Sequence, residues 1–240
     1  MSTKQRNLWL FSQFFVTLQR YRSNIILKIM NKDKQFVITI NREVGSGGRT
    51  VGRLLAERLK VKYYDKALVA GLTKKFGLSI EEIERIKAQK KTWWNEFNTY
   101  YTVLINSAQA PMEDEVKLTT ASMFETEKAI LQELAREESC VVAGRSGFLV
   151  FRDWPNSLHI FVQASMKHRV DRLIMKRGIS EQQALEVIKE MDESRETYIQ
   201  KYDDTSRYDT RNYQLVLSMD NMTPEAAVEV IMAYISQMNG

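Results

Sequence analysis

The stretch FVITINREVGSGGRT, residues 36–50, decides how the chain is read. Its first five residues, Phe36 to Ile40, form an unbroken apolar and β-branched run, the pattern of a strand buried on both faces. A glycine-rich turn follows from Gly45 to Thr50, and Val51, Leu54, Leu55 and Leu59 then recur at helical spacing. Strand, turn and helix in that order make a phosphate cradle. Small residues let backbone N–H groups converge on an anion, and the helix N-terminus adds a partial positive charge. The candidate phosphate contacts are therefore Gly45, Ser46, Gly47, Gly48, Arg49 and Thr50. A tight strand-to-helix turn without a ligand is the plainer alternative.

Set against the Walker A spacing G-x-x-x-x-G-K-[ST], the run matches imperfectly. Arg42 stands where the first glycine belongs, and Gly48 stands where the lysine belongs. Arg49 follows immediately, with a guanidinium suited to a bidentate phosphate contact. The Thr50 hydroxyl is the candidate magnesium ligand.

Outward from this stretch, strands and helices alternate. Lys62 to Tyr64 reads as a short second strand ending at Asp65, and residues 66–138 read as helical, with a capping box from Ser79 to Glu82. Ser139 to Ala143, Leu158 to Val162 and Gln214 to Ser218 are further buried strands. Ser165 is expected to cap a helix reaching about Lys176, Ser180 to open another with Gln183, and Thr223 with Pro224 to start the last. Such alternation predicts a three-layer α/β fold on a parallel sheet. The chain has 240 residues and 28.0 kDa of mass, and no linker rich in Pro, Gly or Ser divides it, so residues 30–240 are expected to form one domain. Seven of the ten glycines sit at 45, 47, 48 and 52, at 144 and 147, and at 178, which marks those places for attention.

Net charge is +5, from 35 basic and 30 acidic residues, which at first suggests a nucleic-acid partner. Residues 1–29 account for all of it. They contain Lys4, Arg6, Arg20, Arg22 and Lys28 and no acid, leaving 30 basic against 30 acidic residues in 30–240. No nucleic-acid partner is therefore expected. The apolar run Leu8 to Leu18 is shorter than the roughly 20 residues a membrane span needs. Three readings of this basic extension stay open: an untranslated or disordered leader ahead of a start at Met30, a helix on an anionic membrane surface, and an export signal. The first is the expectation, and a membrane contact is expected only if the segment is translated and ordered. The single cysteine, Cys140, makes no internal disulfide, and with two histidines leaves no usual zinc set, so a cytoplasmic location is expected. His159 falls in a strand and His168 on a helix, and both read as structural.

The segments ITINREVGSGGRTVGRLLAERLKVKYYDKALV (38–69) and CVVAGRSGFLVFRDWPNSLHIFVQAS (140–165) resemble the cytidylate kinase-like family of P-loop proteins. The resemblance spans about Gln35 to Met232 and implies a nucleoside monophosphate kinase-like outline with a helical insertion within 66–138 and a lid. It also implies ATP and Mg2+ as cofactors and nucleotides as substrates. Asp65 and Lys66 match the segment that opens the acceptor-binding helix. Ala143-Gly-Arg145-Ser matches a motif near the acceptor in which the family's cytidylate kinases carry two acids; here the arginine remains and both acids are absent. Arg169, Arg172, Lys176 and Arg177 fall where these kinases place a lid, and Asp192 with Arg195 looks like an Asp-x-x-Arg that brings a further arginine to the phosphates. The implied chemistry is in-line phosphoryl transfer, which asks of a protein mainly positioning and charge neutralisation. Arg49 is expected to take the part of the lysine, with Arg145, Arg177 and Arg195 around the transferred group. A nucleotide-binding protein with little or no kinase activity is the alternative. Neither the acceptor nor the oligomeric state follows from the residues.

Overall fold

The computed structural model describes residues 34–65, 121–144, 146–200 and 202–238. The basic segment 1–29, the stretch 66–120 with its Ser79 capping box, Lys66 and Arg145 lie outside them. The strands are β1 (Val37–Arg42), β2 (Lys62–Asp65), β3 (Cys140–Ala143), β4 (Ser157–Gln163) and β5 (Leu215–Ser218). The helices are α1 (Gly48–Leu59), α2 (Ala121–Glu137), the single turn α3 (Gly147–Val150), α4 (Met166–Arg177), α5 (Glu181–Gln200) and α6 (Pro224–Met238). All strand pairings are parallel, in the order β2-β3-β1-β4-β5.

Parallel strands need helical crossovers, and these cover both faces of the sheet. On one face Ile38 and Ile40 pack with Val51 and Leu55 of α1 and with Ala227 and Ile231 of α6. On the other, Val37 and Val142 pack with Ile130, Leu131 and Leu134 of α2. Successive residues of β1 thus serve opposite faces, which is why the run carries no polar alternation. The three layers follow from that.

The expected strand over 36–40 runs on to Arg42, since Asn41 and Arg42 stay in register with Phe161 and Val162 of β4. Two polar side chains conceal this extension. Asn41 is tolerated because its amide donates to the buried Tyr213 hydroxyl at 2.6 Å. In the middle of the sheet, Thr39 Oγ1 and His159 Nδ1 lie 2.7 Å apart, so His159 is a satisfied core residue. The expected caps form. Ser165 Oγ accepts from the His168 N–H, Ser180 and Gln183 bond reciprocally, and Thr223 Oγ1 accepts from the Ala226 N–H. Among the described residues, no helix is long and apolar enough to cross a membrane.

Candidate functional site

The glycine loop connects β1 to α1 at the carboxyl end of the sheet, beside the strand β1 shares with both β3 and β4. Gly45 and Gly47 have φ of 82° and 88°, the left-handed conformation that side chains resist. Space forbids a side chain at 45 as well, because a Cβ there would stand 2.7 Å from the Arg169 carbonyl oxygen. Ser46 is fully buried and its hydroxyl donates to the Glu43 carbonyl at 2.9 Å, tying the loop to itself. Gly47 caps α1 without a side-chain acceptor, and no acid stands in the first turn. The first N–H groups of a twelve-residue helix are thereby left to an incoming anion.

A cleft of about 320 Å³ opens over this loop. Gly45, Gly47, Gly48, Arg49 and Thr50 line one side of it, and Arg172, Lys176 and Arg177 of α4 line the other. Arg42 and Arg195 close the end. Among the described residues, six cations thus face one small volume in company with one acid, Glu43, and Glu43 is already paired with Arg169 at 3.3 Å. The crowding registers on the side chains themselves. Lys176 is held below the ordinary lysine pKa by desolvation and then by the nearby charges of Arg172, Arg53 and Arg49. Desolvation likewise lowers Arg177. A polyanion entering the cleft would relieve that repulsion.

The loop rests on a buried ionic hub. The Asp192 carboxylate pairs with Arg169, with Arg207 at 3.3 Å and with Arg195 at 3.7 Å, and accepts the Val44 N–H at 3.2 Å. Arg207, fully enclosed, also donates to the Arg42 carbonyl, and Arg195 donates to the same oxygen at 3.4 Å. Arg169 donates to the Val44 carbonyl at 2.7 Å and is 5% exposed, so it belongs under the loop rather than on a lid or a solvated face.

The structure brings most of the sequence candidates together. Gly45, Gly47, Gly48, Arg49, Thr50, Arg177 and Arg195 line one cleft. Asp65 is buried at the end of β2, where both Nε and Nη2 of Arg49 meet its Oδ2 at 2.9 Å, so a loop residue and the residue expected on the acceptor side hold each other. Thr50 Oγ1 accepts from Arg172 Nη2 at 3.1 Å. Lys66 and Arg145 lie outside the described residues. Arg207 went unnoticed in the sequence, because it sits in an irregular polar stretch with no periodicity to mark it.

Comparison with known proteins agrees with this geometry. The profile of the cytidylate kinase-like family matches residues 37–221. A cytidylate kinase of Sulfurisphaera tokodaii is 24% identical over 207 residues, covering 84% of this chain and 96% of that protein. One from Pyrococcus horikoshii is 25% identical over 213 residues, covering 88% and 93%. Among solved structures, an uncharacterized protein from Eubacterium ventriosum superposes with a TM-score of 0.60 at 23% identity, over 84% of this chain and 99% of that one, a likeness of fold.

Proposed function

This chain belongs to the cytidylate kinase-like family, and on that premise we propose that it is a phosphotransferase moving the γ-phosphoryl group of ATP to a nucleoside monophosphate or a similar small acceptor. The observation that supports this most is the meeting of an uncapped α1 N-terminus and six cations around one cleft at the carboxyl end of a parallel sheet. Loop N–H groups from Gly45 to Thr50 would wrap the phosphates. Arg49, Arg177 and Arg195 would neutralise charge as the phosphoryl group moves, the contribution on which such reactions chiefly depend. The acceptor side is assigned to Asp65, the last residue of β2, and to Lys66 and Arg145.

Magnesium fits these residues. Thr50 would contribute its hydroxyl, whose second lone pair is left by the bond from Arg172. When bound, the ion supplies further neutralisation of the phosphate charge.

Coupled-enzyme turnover with ATP, Mg2+ and a panel of nucleoside monophosphates tests the proposal. Transfer to at least one acceptor is expected, with Arg177→Ala and Arg195→Ala each lowering kcat at least tenfold, the order of effect for a lost charge-stabilising contact. A protein that binds ATP yet phosphorylates no acceptor would instead be a nucleotide-binding protein, and the proposal would fall.

A further inference from the structure

We propose that Arg42 supplies the cation that the loop lacks at position 48, so that the chain has exchanged the glycine and the cation of a phosphate loop. The inference rests on the phosphate site of the preceding reading and identifies how that site is charged.

The sequence departs from G-x-x-x-x-G-K at two positions, and the departures are reciprocal: a cation at the first glycine and a glycine at the lysine. The structure shows that the two positions touch. A Cβ on Gly48 would stand 2.7 Å from Arg42 Cβ and 3.2 Å from Arg42 Cδ. The stem of Arg42 therefore occupies the ground over which a side chain at 48 would pass. Position 48 is therefore not free to change while Arg42 is present, since Arg42 requires a glycine there.

From there the side chain continues toward the tip of β3. A Cβ on Gly144, whose φ is 78°, would collide with Arg42 Nη1 and lie 3.3 Å from Cζ. The guanidinium thus lies between the loop and the ends of β1 and β3, on the ligand side of an open α/β sheet. It lines the cleft while the residue as a whole is only 5% exposed. Its backbone is pinned from three directions, the carbonyl by Arg207 and Arg195 and the N–H by Asn41 Oδ1 at 3.1 Å. A backbone so held directs the side chain before any phosphate arrives. Arg49 also lines the cleft. Two of its nitrogens are committed to Asp65, and reaching a phosphate in the lysine's manner would break that pair.

The test is calorimetric titration of the full chain with inorganic tripolyphosphate and with ATP, alongside thermal unfolding of each variant. Arg42→Gln is expected to weaken tripolyphosphate binding about 10- to 100-fold, the loss of one strong charged hydrogen bond. Arg42→Lys should recover most of that loss, and Arg49→Ala should cost less than Arg42→Gln. Gly48→Lys alone should unfold at a lower temperature, because its Cβ meets Arg42. The double variant Arg42→Gly with Gly48→Lys should fold and bind tripolyphosphate more tightly than Arg42→Gly, since it restores a glycine and a lysine at those two positions. Wild-type affinity in Arg42→Gln, a larger loss in Arg49→Ala, or no recovery in the double variant would each overturn the exchange. If Arg42→Gln fails to fold, Arg42→Lys and the double variant decide the matter by the same criteria. A wild-type chain that binds no tripolyphosphate overturns this inference and the preceding reading together. A chain that shows the expected binding series but transfers no phosphoryl group overturns the phosphotransferase reading and leaves the exchange supported.

Discussion

Replacing Asp192 by Asn tests the claim that the phosphate loop stands on an ionic hub. The substitution keeps the size of the side chain and one accepting oxygen but removes the negative charge that faces Arg169, Arg195 and Arg207. The three arginines are not equally affected. Arg169 retains Glu43 at 3.3 Å, and Arg195 is partly exposed, with access to water. Arg207 is fully enclosed, and among the described residues Asp192 is the carboxylate its guanidinium meets, so its buried charge loses that counterion and keeps the Arg42 carbonyl. Removing one partner of a buried pair costs about 3–5 kcal/mol, and because only one of the three cations is stranded, the lower end, about 3 kcal/mol, is expected. For a chain of this size that corresponds to a fall in Tm of about 6–12 °C. Thermal unfolding followed by circular dichroism at neutral pH measures it, and tripolyphosphate titration should show weakened binding as well, because Asp192 also holds the Val44 N–H. A variant that unfolds within about 2 °C of wild type would refute the hub, since so small a change corresponds to under about 1 kcal/mol.

Gly45→Ala combines a positive φ with a Cβ placed 2.7 Å from the Arg169 carbonyl. It should lose at least about 2 kcal/mol of stability and most tripolyphosphate affinity, measured by thermal unfolding and calorimetry; a stable variant with normal binding would show that the loop adopts another course. The lowered pKa of Lys176 makes binding dependent on pH. A bound polyanion counters the charges of Arg172, Arg53 and Arg49 and raises the lysine's pKa, so binding takes up a proton in the alkaline range. Affinity should be full below the free protein's Lys176 pKa, which lies under the ordinary 10.5, and should fall as the pH rises through it. Lys176→Met should flatten that part of the profile, and an unchanged profile would remove Lys176 from the cleft's charge.

The parallel sheet was legible because buried strands announce themselves. Phe36 to Ile40, Ser139 to Ala143 and Leu158 to Val162 are apolar runs, and their helices carry caps at Ser165, Ser180 and Thr223 that form as expected. The loop was legible for a similar reason. A positive φ is a local demand that glycine meets, so Gly45 and Gly47 mark the turn in one dimension. Strand ends were less clear, as at Asn41 and Arg42, where polar residues continue a strand because distant partners satisfy them. Spacing along α4 placed Arg169 and Arg172 alike on a helix, and only the fold separated them, one under the loop and one facing the cleft.

Taken alone, the sequence determined the layers, the loop and the direction of the chemistry, because those depend on residues near one another in the chain. It also showed that residues 30–240 carry no net charge, so positive potential must be local. Where that potential gathers was decided by tertiary structure. Arg42 and Gly48 are six positions apart, Arg177 and Arg195 lie more than a hundred further on, and their meeting depends on parallel strands ending at one edge. The hub of Asp192, Arg169 and Arg207 is of the same kind: nothing in their spacing marks them as buried together, and burial in mutual contact makes them the support of the glycine loop.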